Sequence, residues 1–98
     1  MIPDFKLLGI TLAQHALGNR AESDAALLKL INDYGHSALY QIAQACAWRG
    51  EIDRAFEWIE RAYTQRGPGI TNVATDPFFR PLHNDARWLP FMRKMGFR

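Results

Sequence analysis

The chain has 98 residues, of which 48% are hydrophobic and 22% are charged, and this composition is typical of a single globular domain rather than of a disordered segment. Twelve basic and ten acidic residues give a net charge of +2, which is too small to indicate a nucleic-acid partner. The single cysteine excludes an internal disulfide framework and a cysteine-rich zinc site.

The sequence contains no segment typical of membrane insertion or secretion. The longest charge-free stretch, residues 34–48, carries a histidine, a serine and two glutamines, whereas a transmembrane helix needs about 20 predominantly apolar residues. The chain begins Met-Ile-Pro-Asp-Phe-Lys, which places an acid where a secretory signal has basic residues. We therefore expect a cytoplasmic protein with no membrane partner.

Apolar residues at helical spacing predict four helices in the first two-thirds of the chain. The predicted helices cover about residues 5–17, residues 21–34, residues 38–49 and three turns from Ile52. Asn19 and Ser37 are predicted to cap the second and third helices, and Gly35 is predicted to end the second helix in the left-handed conformation. This order predicts two helix hairpins, each closed by a tight turn at a glycine.

The two predicted hairpins repeat one another at an offset of 32 residues. This offset pairs residues that agree in kind: Leu7 with Leu39, Ile10 with Ile42, Gly18 with Gly50, Ser23 with Ala55, Leu27 with Ile59, and Leu30 with Ala62. Small residues in the middle of paired helices allow a close helix crossing. Ser23 and Ala55 are therefore predicted to lie at the two crossings.

The second hairpin resembles the tetratricopeptide repeat, whose period is about 34 residues. The positions that carry the resemblance are Leu39, Ile42, Ala43, Cys46, Ala55, Ile59 and Ala62, with Pro68 near the family's closing proline. The first hairpin matches more loosely. The resemblance implies an all-α fold in which repeat one (about 4–35) and repeat two (about 36–69) stack as a right-handed superhelix.

The last third of the chain is predicted to cap this stack. Asp76-Pro77 predicts the start of a short helix that Pro81 limits to about one turn, and Asn84 or Asp85 is predicted to begin a final helix reaching Lys94. Residues 76–96 resemble the C-terminal tail of bacterial multidomain tetratricopeptide proteins, among them regulators, cyclases and kinases. The apolar residues expected to cover the end of the second hairpin are Phe78, Phe79, Leu82, Trp88, Phe91 and Met95. Pro90 inside the final helix is unusual for this tail.

The tail is the basic part of the chain. After Phe78 it carries five basic residues against Asp85 alone. Two readings stay open: contact with nucleic acid or a membrane, and an intramolecular role facing the acids Asp53, Glu57 and Glu60 of the fourth helix. No nucleic-acid or membrane partner is expected.

No combination of residues predicts catalysis, a cofactor or a metal. Cys46 lies on the predicted buried stripe of its helix, which indicates a small core residue rather than a nucleophile. His15, His36 and His83 lack the spacing of metal ligands. The only glycine-rich loop lacks the lysine and hydroxyl residue of a phosphate-binding loop.

The resemblance implies a partner-binding groove lined by the first helix of each repeat. Its lining residues are predicted to be Leu8, Leu12, His15, Tyr40, Gln41, Gln44 and Trp48. Leu8, Leu12, Tyr40 and Gln44 replace the polar and basic groups with which the family binds C-terminal carboxylates. An apolar peptide or helix is therefore the expected partner.

Three alternatives to binding a different protein or peptide stay open at this stage. Phe5, Leu8 and Leu12 are predicted to be unshielded on the first helix, which favours a homodimer through this face. The alternative function is that of a regulatory C-terminal tail of a larger bacterial enzyme or transcription regulator. A third reading is a small-molecule sensor with a cleft at Tyr40, Gln44 and Trp48.

Overall fold

A computed structural model describes residues 2–66 and 69–96 of the chain. In these ranges the protein is all-α, as predicted. The α-helices are α1 (Asp4–Ala16), α2 (Arg20–Tyr34), α3 (Leu39–Trp48), α4 (Ile52–Thr64) and α5 (Trp88–Lys94), and two 3₁₀ helices cover Ile70–Asn72 and Pro77–Leu82. None of the described helices is long and apolar enough to cross a membrane.

The helices pair as two hairpins. Hairpin one consists of α1 packed on α2, hairpin two consists of α3 packed on α4, and both helices of hairpin one also contact α3. These contacts confirm the predicted hairpins.

The turns of the two hairpins have the same geometry at an offset of 32 residues. Gly18 and Gly50 adopt φ values of 80° and 78°, which favour glycine because it has no Cβ. The N–H of the residue after each glycine donates across the turn, from Asn19 to the Gln14 carbonyl and from Glu51 to the Cys46 carbonyl, both at 2.9 Å. Both turns are therefore Schellman motifs, in which backbone hydrogen bonds satisfy the free carbonyls at a helix end.

The two predicted small residues are buried, and Ser23 contacts the partner helix of its hairpin. Ser23 and Ala55 are both fully buried. The Ser23 hydroxyl donates to the Thr11 carbonyl at 2.9 Å, and the Thr11 hydroxyl donates to the Leu7 carbonyl at 2.8 Å. Hairpin one thus buries two hydroxyl groups with hydrogen-bond partners, which avoids the cost of an unsatisfied polar group.

The first helices lie within one residue of their predicted bounds, but the predicted caps of α2 and α3 need correction. Asn19 stands at the start of α2, but its side chain makes no capping hydrogen bond and instead donates to Gln14 Oε1 at 2.8 Å. Ser37 does not cap α3, which begins after Ala38. Gly35 has a helical φ of −63°, because the N–H groups of Ser37 and Ala38 both donate to the Tyr34 carbonyl and continue the helical path.

The tail begins as predicted and ends with a shorter helix than predicted. Asp76 Oδ1 accepts a hydrogen bond from the Phe78 N–H at 3.0 Å and so caps the second 3₁₀ helix. The final helix starts at Trp88 rather than at Asn84 or Asp85. Pro90 therefore lies in the first turn of α5, where the missing N–H breaks no helical hydrogen bond.

The tail completes the core of the protein. Among the residues expected to cover hairpin two, Phe79, Leu82, Trp88 and Phe91 are buried, whereas Phe78 and Met95 are half-buried. Pro68, predicted to close the second repeat, lies outside the described residues.

Candidate partner-binding surface

The tail lies on the α3 side chains that were predicted to line the groove. Tyr40 is only 6% exposed. Its hydroxyl donates to Asp76 Oδ2 at 2.6 Å, and Gln44 Nε2 donates to the same oxygen at 2.8 Å. We call Tyr40, Gln44 and Asp76 the tail latch. At the sensor cleft predicted at Tyr40, Gln44 and Trp48, the two polar side chains are thus bonded to the chain's own tail.

Aromatic packing surrounds the tail latch. The Phe79 ring lies 5.3 Å from the Tyr40 ring between centroids, and the Phe78 ring meets Trp48 edge-on at 5.6 Å. On the other side, Gly69 approaches Tyr40 so closely, at a φ of 91°, that an added Cβ would lie 2.6 Å from Tyr40 Cδ1. Burial, together with the hydrogen bond to Asp76, raises the pKa of Tyr40 and keeps its phenol protonated as a donor.

The predicted groove residues on α1 have different surroundings. Leu8, Leu12 and His15 are half-buried, and Phe5 is 73% exposed. On α3, Gln41 is half-buried and Trp48 remains 46% exposed despite its contact with Phe78. The predicted groove is therefore divided into two side chains that are hydrogen-bonded to the tail, Tyr40 and Gln44, and five partly or largely exposed side chains that make no hydrogen bond to it among the described residues. We call these five, Leu8, Leu12, His15, Gln41 and Trp48, the open face.

The basic tail faces helix α4. Arg87 Nη2 lies 2.8 Å from Asp53 Oδ1, and Lys94 forms an ion pair with Glu60. Both pairs join residues 34 positions apart, so α5 runs in the same direction as α4. Two basic residues of the tail thus face two of the three α4 acids as the intramolecular reading expected, whereas Glu57 pairs with Arg61 of its own helix at 2.7 Å.

A second contact of Arg87 orders the turn before α5. Arg87 also hydrogen-bonds Asp85 with its side chain and its backbone N–H, and these bonds lower the pKa of Asp85 to about 2. The Arg87 guanidinium lies 4.5 Å from the centre of the Phe56 ring, an arrangement that favours a cation over an aromatic face. One arginine thus holds the turn against α4.

A groove of about 570 Å³ lies between α4 and α5 and was missed by the sequence analysis. Its floor is apolar, with Phe56, Pro90 and Phe91, and the two ion pairs to α4 lie on its rim. The sequence did contain a signal for this groove, because Asp53 and Arg87 are 34 positions apart and so are Glu60 and Lys94. The rim charges already satisfy one another, so the groove offers only a small apolar surface.

Arg49 connects the two hairpins, and sequence reasoning also missed it. Its side chain is 5% exposed, forms an ion pair with Asp24 of α2, and donates to Ser23 Oγ at 3.3 Å. Its Nε lies 3.3 Å from Glu51 Oε1, an oxygen that is buried without a hydrogen-bond partner. A lone arginine before a glycine turn gave no sign of this contact in the sequence.

Cys46 lies in the core, as its place on the predicted buried stripe of its helix indicated. Cys46 is fully buried, and burial raises the pKa of its thiol to about 11, so the thiol stays protonated at neutral pH. Residues 2–66 and 69–96 contain no group of three or more His, Cys, Asp or Glu side chains placed to hold a metal ion. His83 packs against the Trp88 ring at 4.4 Å between centroids.

The function of this protein is inferred from its own surface rather than from a relative. No protein-family model, curated protein or solved structure matches the chain. The contacts, exposure and charges described above are therefore the observations from which a function has to be inferred.

Proposed function

We propose that this protein is a non-catalytic, tetratricopeptide-like interaction module of the bacterial cytoplasm that binds a peptide or helix on its open face. The equivalent turns at an offset of 32 residues and the buried Ser23 and Ala55 support the repeat assignment. In this proposal the hairpins stack as a right-handed superhelix. The tail, whose second 3₁₀ helix contacts α3, takes the place of a third repeat.

The observation that carries the proposal is the unequal cover of α1 and α3. Tyr40 is buried and donates to Asp76 of the tail together with the half-buried Gln44. Their counterparts at an offset of 32 residues, Leu8 and Leu12, are half-buried and apolar, so they have no group that could form such a bond. Partly exposed apolar side chains beside one imidazole and one amide suit the apolar face of a peptide helix. Tyr40 and Gln44 then act indirectly, because they hold the tail that borders the open face.

A selection from a display library of random peptides tests this proposal. Peptides enriched on the wild type are expected to bind Leu12→Ala/Trp48→Ala at least about tenfold more weakly, because anchor side chains of small interfaces contribute 1 kcal/mol or more each. Leu28→Ala is the matched control, since Leu28 is 59% exposed on α2, away from the open face. Fluorescence anisotropy gives the affinities. Equal binding by the double variant, or an equal loss in the control, contradicts the proposal.

A further inference from the structure

The outer side of α1 is apolar although it faces solvent. All residues of α1 are described, and its exposed ones are Phe5, Lys6, Gly9, Ala13 and Ala16. Only Lys6 among them is charged, and Leu17, which follows the helix, is 71% exposed. The exposed residues of α2 differ, because they include Arg20, Glu22, Asp24, Lys29 and Asp33. A solvent-facing helix normally carries charges like those of α2.

Gly9 is an unexpected residue at the centre of this surface. Glycine disfavours a helix interior because it loses more backbone freedom than alanine. An added Cβ at Gly9 would meet nothing within 4 Å, so packing within the chain does not require a glycine. Phe5 and Ala13 lie four residues to either side, on the same face of the helix. A glycine here allows the backbone of another helix to approach closely.

The repeat offset relates this surface to one that the fold already buries. Ile42 and Ala45 of α3 are fully buried, and α3 packs on both helices of hairpin one as well as on α4. Their counterparts 32 residues earlier are Ile10, which is half-buried, and Ala13, which is exposed. Leu17 likewise corresponds to Arg49, whose side chain contacts Ser23 and Asp24 of hairpin one. The outer side of α1 therefore continues the interface between the hairpins beyond hairpin one.

The two ends of the stack differ, and this difference determines which partner fits. The α4 end is covered by α5, which two ion pairs and the hydrogen bond from the Tyr63 hydroxyl to the Lys94 carbonyl hold in place. A head-to-tail contact would need that end, so repeated stacking into a filament is blocked. A contact between two identical α1 surfaces involves no other part of the protein. It forms a closed dimer, because each copy uses its α1 surface in the contact.

We propose that a second copy of this chain covers the outer side of α1, so that two α1 helices cross at Gly9 and Ala13 about a two-fold axis. Phe5, Ile10 and Leu17 lie around this crossing. The surface is distinct from the open face, since it shares neither Leu8 nor His15 with it. It also differs from the dimer face predicted from the sequence, with which it has only Phe5 in common.

Sedimentation equilibrium of the 98-residue chain tests the dimer. The wild type is expected to pass from monomer to dimer between about 1 and 500 μM, the affinity range of a small interface. Ala13→Arg is expected to weaken association at least about thirtyfold, because it places a bulky charge at the crossing. Leu28→Arg, a matched change on the exposed side of α2, is expected to leave association unchanged.

Gly9→Ala separates the interface from the fold. Its Cβ enters open space in the monomer, so circular dichroism is expected to show unchanged or greater thermal stability when measured at dilution. Association is nevertheless expected to weaken, because the two backbones no longer approach as closely. A wild type that stays monomeric over the whole range overturns the proposal and leaves a preceding hairpin of a longer chain as the occupant. Association of Ala13→Arg or Gly9→Ala that equals the wild type also overturns it.

Discussion

Asp76 fixes the path of the tail with three hydrogen bonds. One oxygen accepts the Phe78 N–H and caps the short helix that follows, and the other accepts from Tyr40 and Gln44 of α3. A single carboxylate thus sets both the local conformation of the tail and its position on hairpin two. Hydrogen bonds to an ionised acceptor are stronger than those between neutral groups. A buried donor that loses its acceptor destabilises the fold, because it has given up its hydrogen bond to water.

Replacing Asp76 with alanine is therefore expected to lower the free energy of unfolding by about 2–4 kcal/mol, since it removes charge-assisted hydrogen bonds from partly buried donors. Urea denaturation followed by circular dichroism measures the change. Asp33→Ala is the matched control, because Lys29 on the surface of α2, at 3.1 Å, is the one residue among those described that pairs with Asp33. Its loss is expected to cost below about 0.5 kcal/mol. Equal effects of the two substitutions would show that the tail latch does not stabilise the fold.

At the residue scale, local structure could be predicted from the sequence, but contacts between distant residues could not. Asp76 was predicted to begin a helix, because the signal for a cap followed by proline is local. Its contact with Tyr40 was not predicted, since the two residues are 36 positions apart and no spacing rule links them. Asn19, followed by Glu22, and Ser37 were predicted as caps from local sequence, but the backbone turns at Gly18 and Gly35 already determine how those helices begin.

At the scale of elements, the hairpins depend on small side chains where their helices pack. Periodicity and glycine position were enough to predict the four helices of the hairpins, because an amphipathic helix carries its own signal. The length of α5 was predicted incorrectly, because Asp85 bonds the Arg87 backbone in a turn rather than at a helix start. The packing of the hairpins is open to a direct test by substitution.

Ala55→Leu is expected to lower the free energy of unfolding by about 1–3 kcal/mol, because the added carbons have no space in a fully packed crossing. Ala55 is fully buried on α4, and Ala25 is an exposed alanine on α2 that serves as the control. Ala25→Leu is expected to change stability by no more than about 0.5 kcal/mol. Thermal and urea unfolding of both variants give the comparison. A neutral effect of Ala55→Leu would mean that α3 and α4 do not cross closely at this residue.

At the scale of the whole molecule, equivalent positions of the two hairpins have different neighbours. Leu8 and Tyr40 occupy the same place in the repeat, and the sequence analysis assigned both to one groove for that reason. The tail covers Tyr40 and not Phe5 or the outer side of α1. This asymmetry depends on where the last third of the chain folds back, which is a long-range property that a repeat pattern does not encode.

The same asymmetry links the fold to its proposed role. Hairpin two and the tail form a closed end, in which aromatic side chains and ion pairs satisfy one another. Hairpin one carries the most exposed apolar side chain among the large hydrophobic residues described, Phe5 at 73%. Partners are therefore expected at α1, through the open face for a peptide and through the outer side for a second copy.

Hydroxyl-radical footprinting with mass spectrometry, on dilute protein, tests the division between covered and open surfaces most directly, because side-chain oxidation follows solvent exposure. Phe5 and Leu17, both more than two-thirds exposed at 73% and 71%, are expected to be oxidised readily, whereas Tyr40 and Phe79, at 6% and 0%, are expected to be protected. Oxidation of Tyr40 and Phe79 at rates like those of Phe5 would contradict the account, since it would place the tail away from α3.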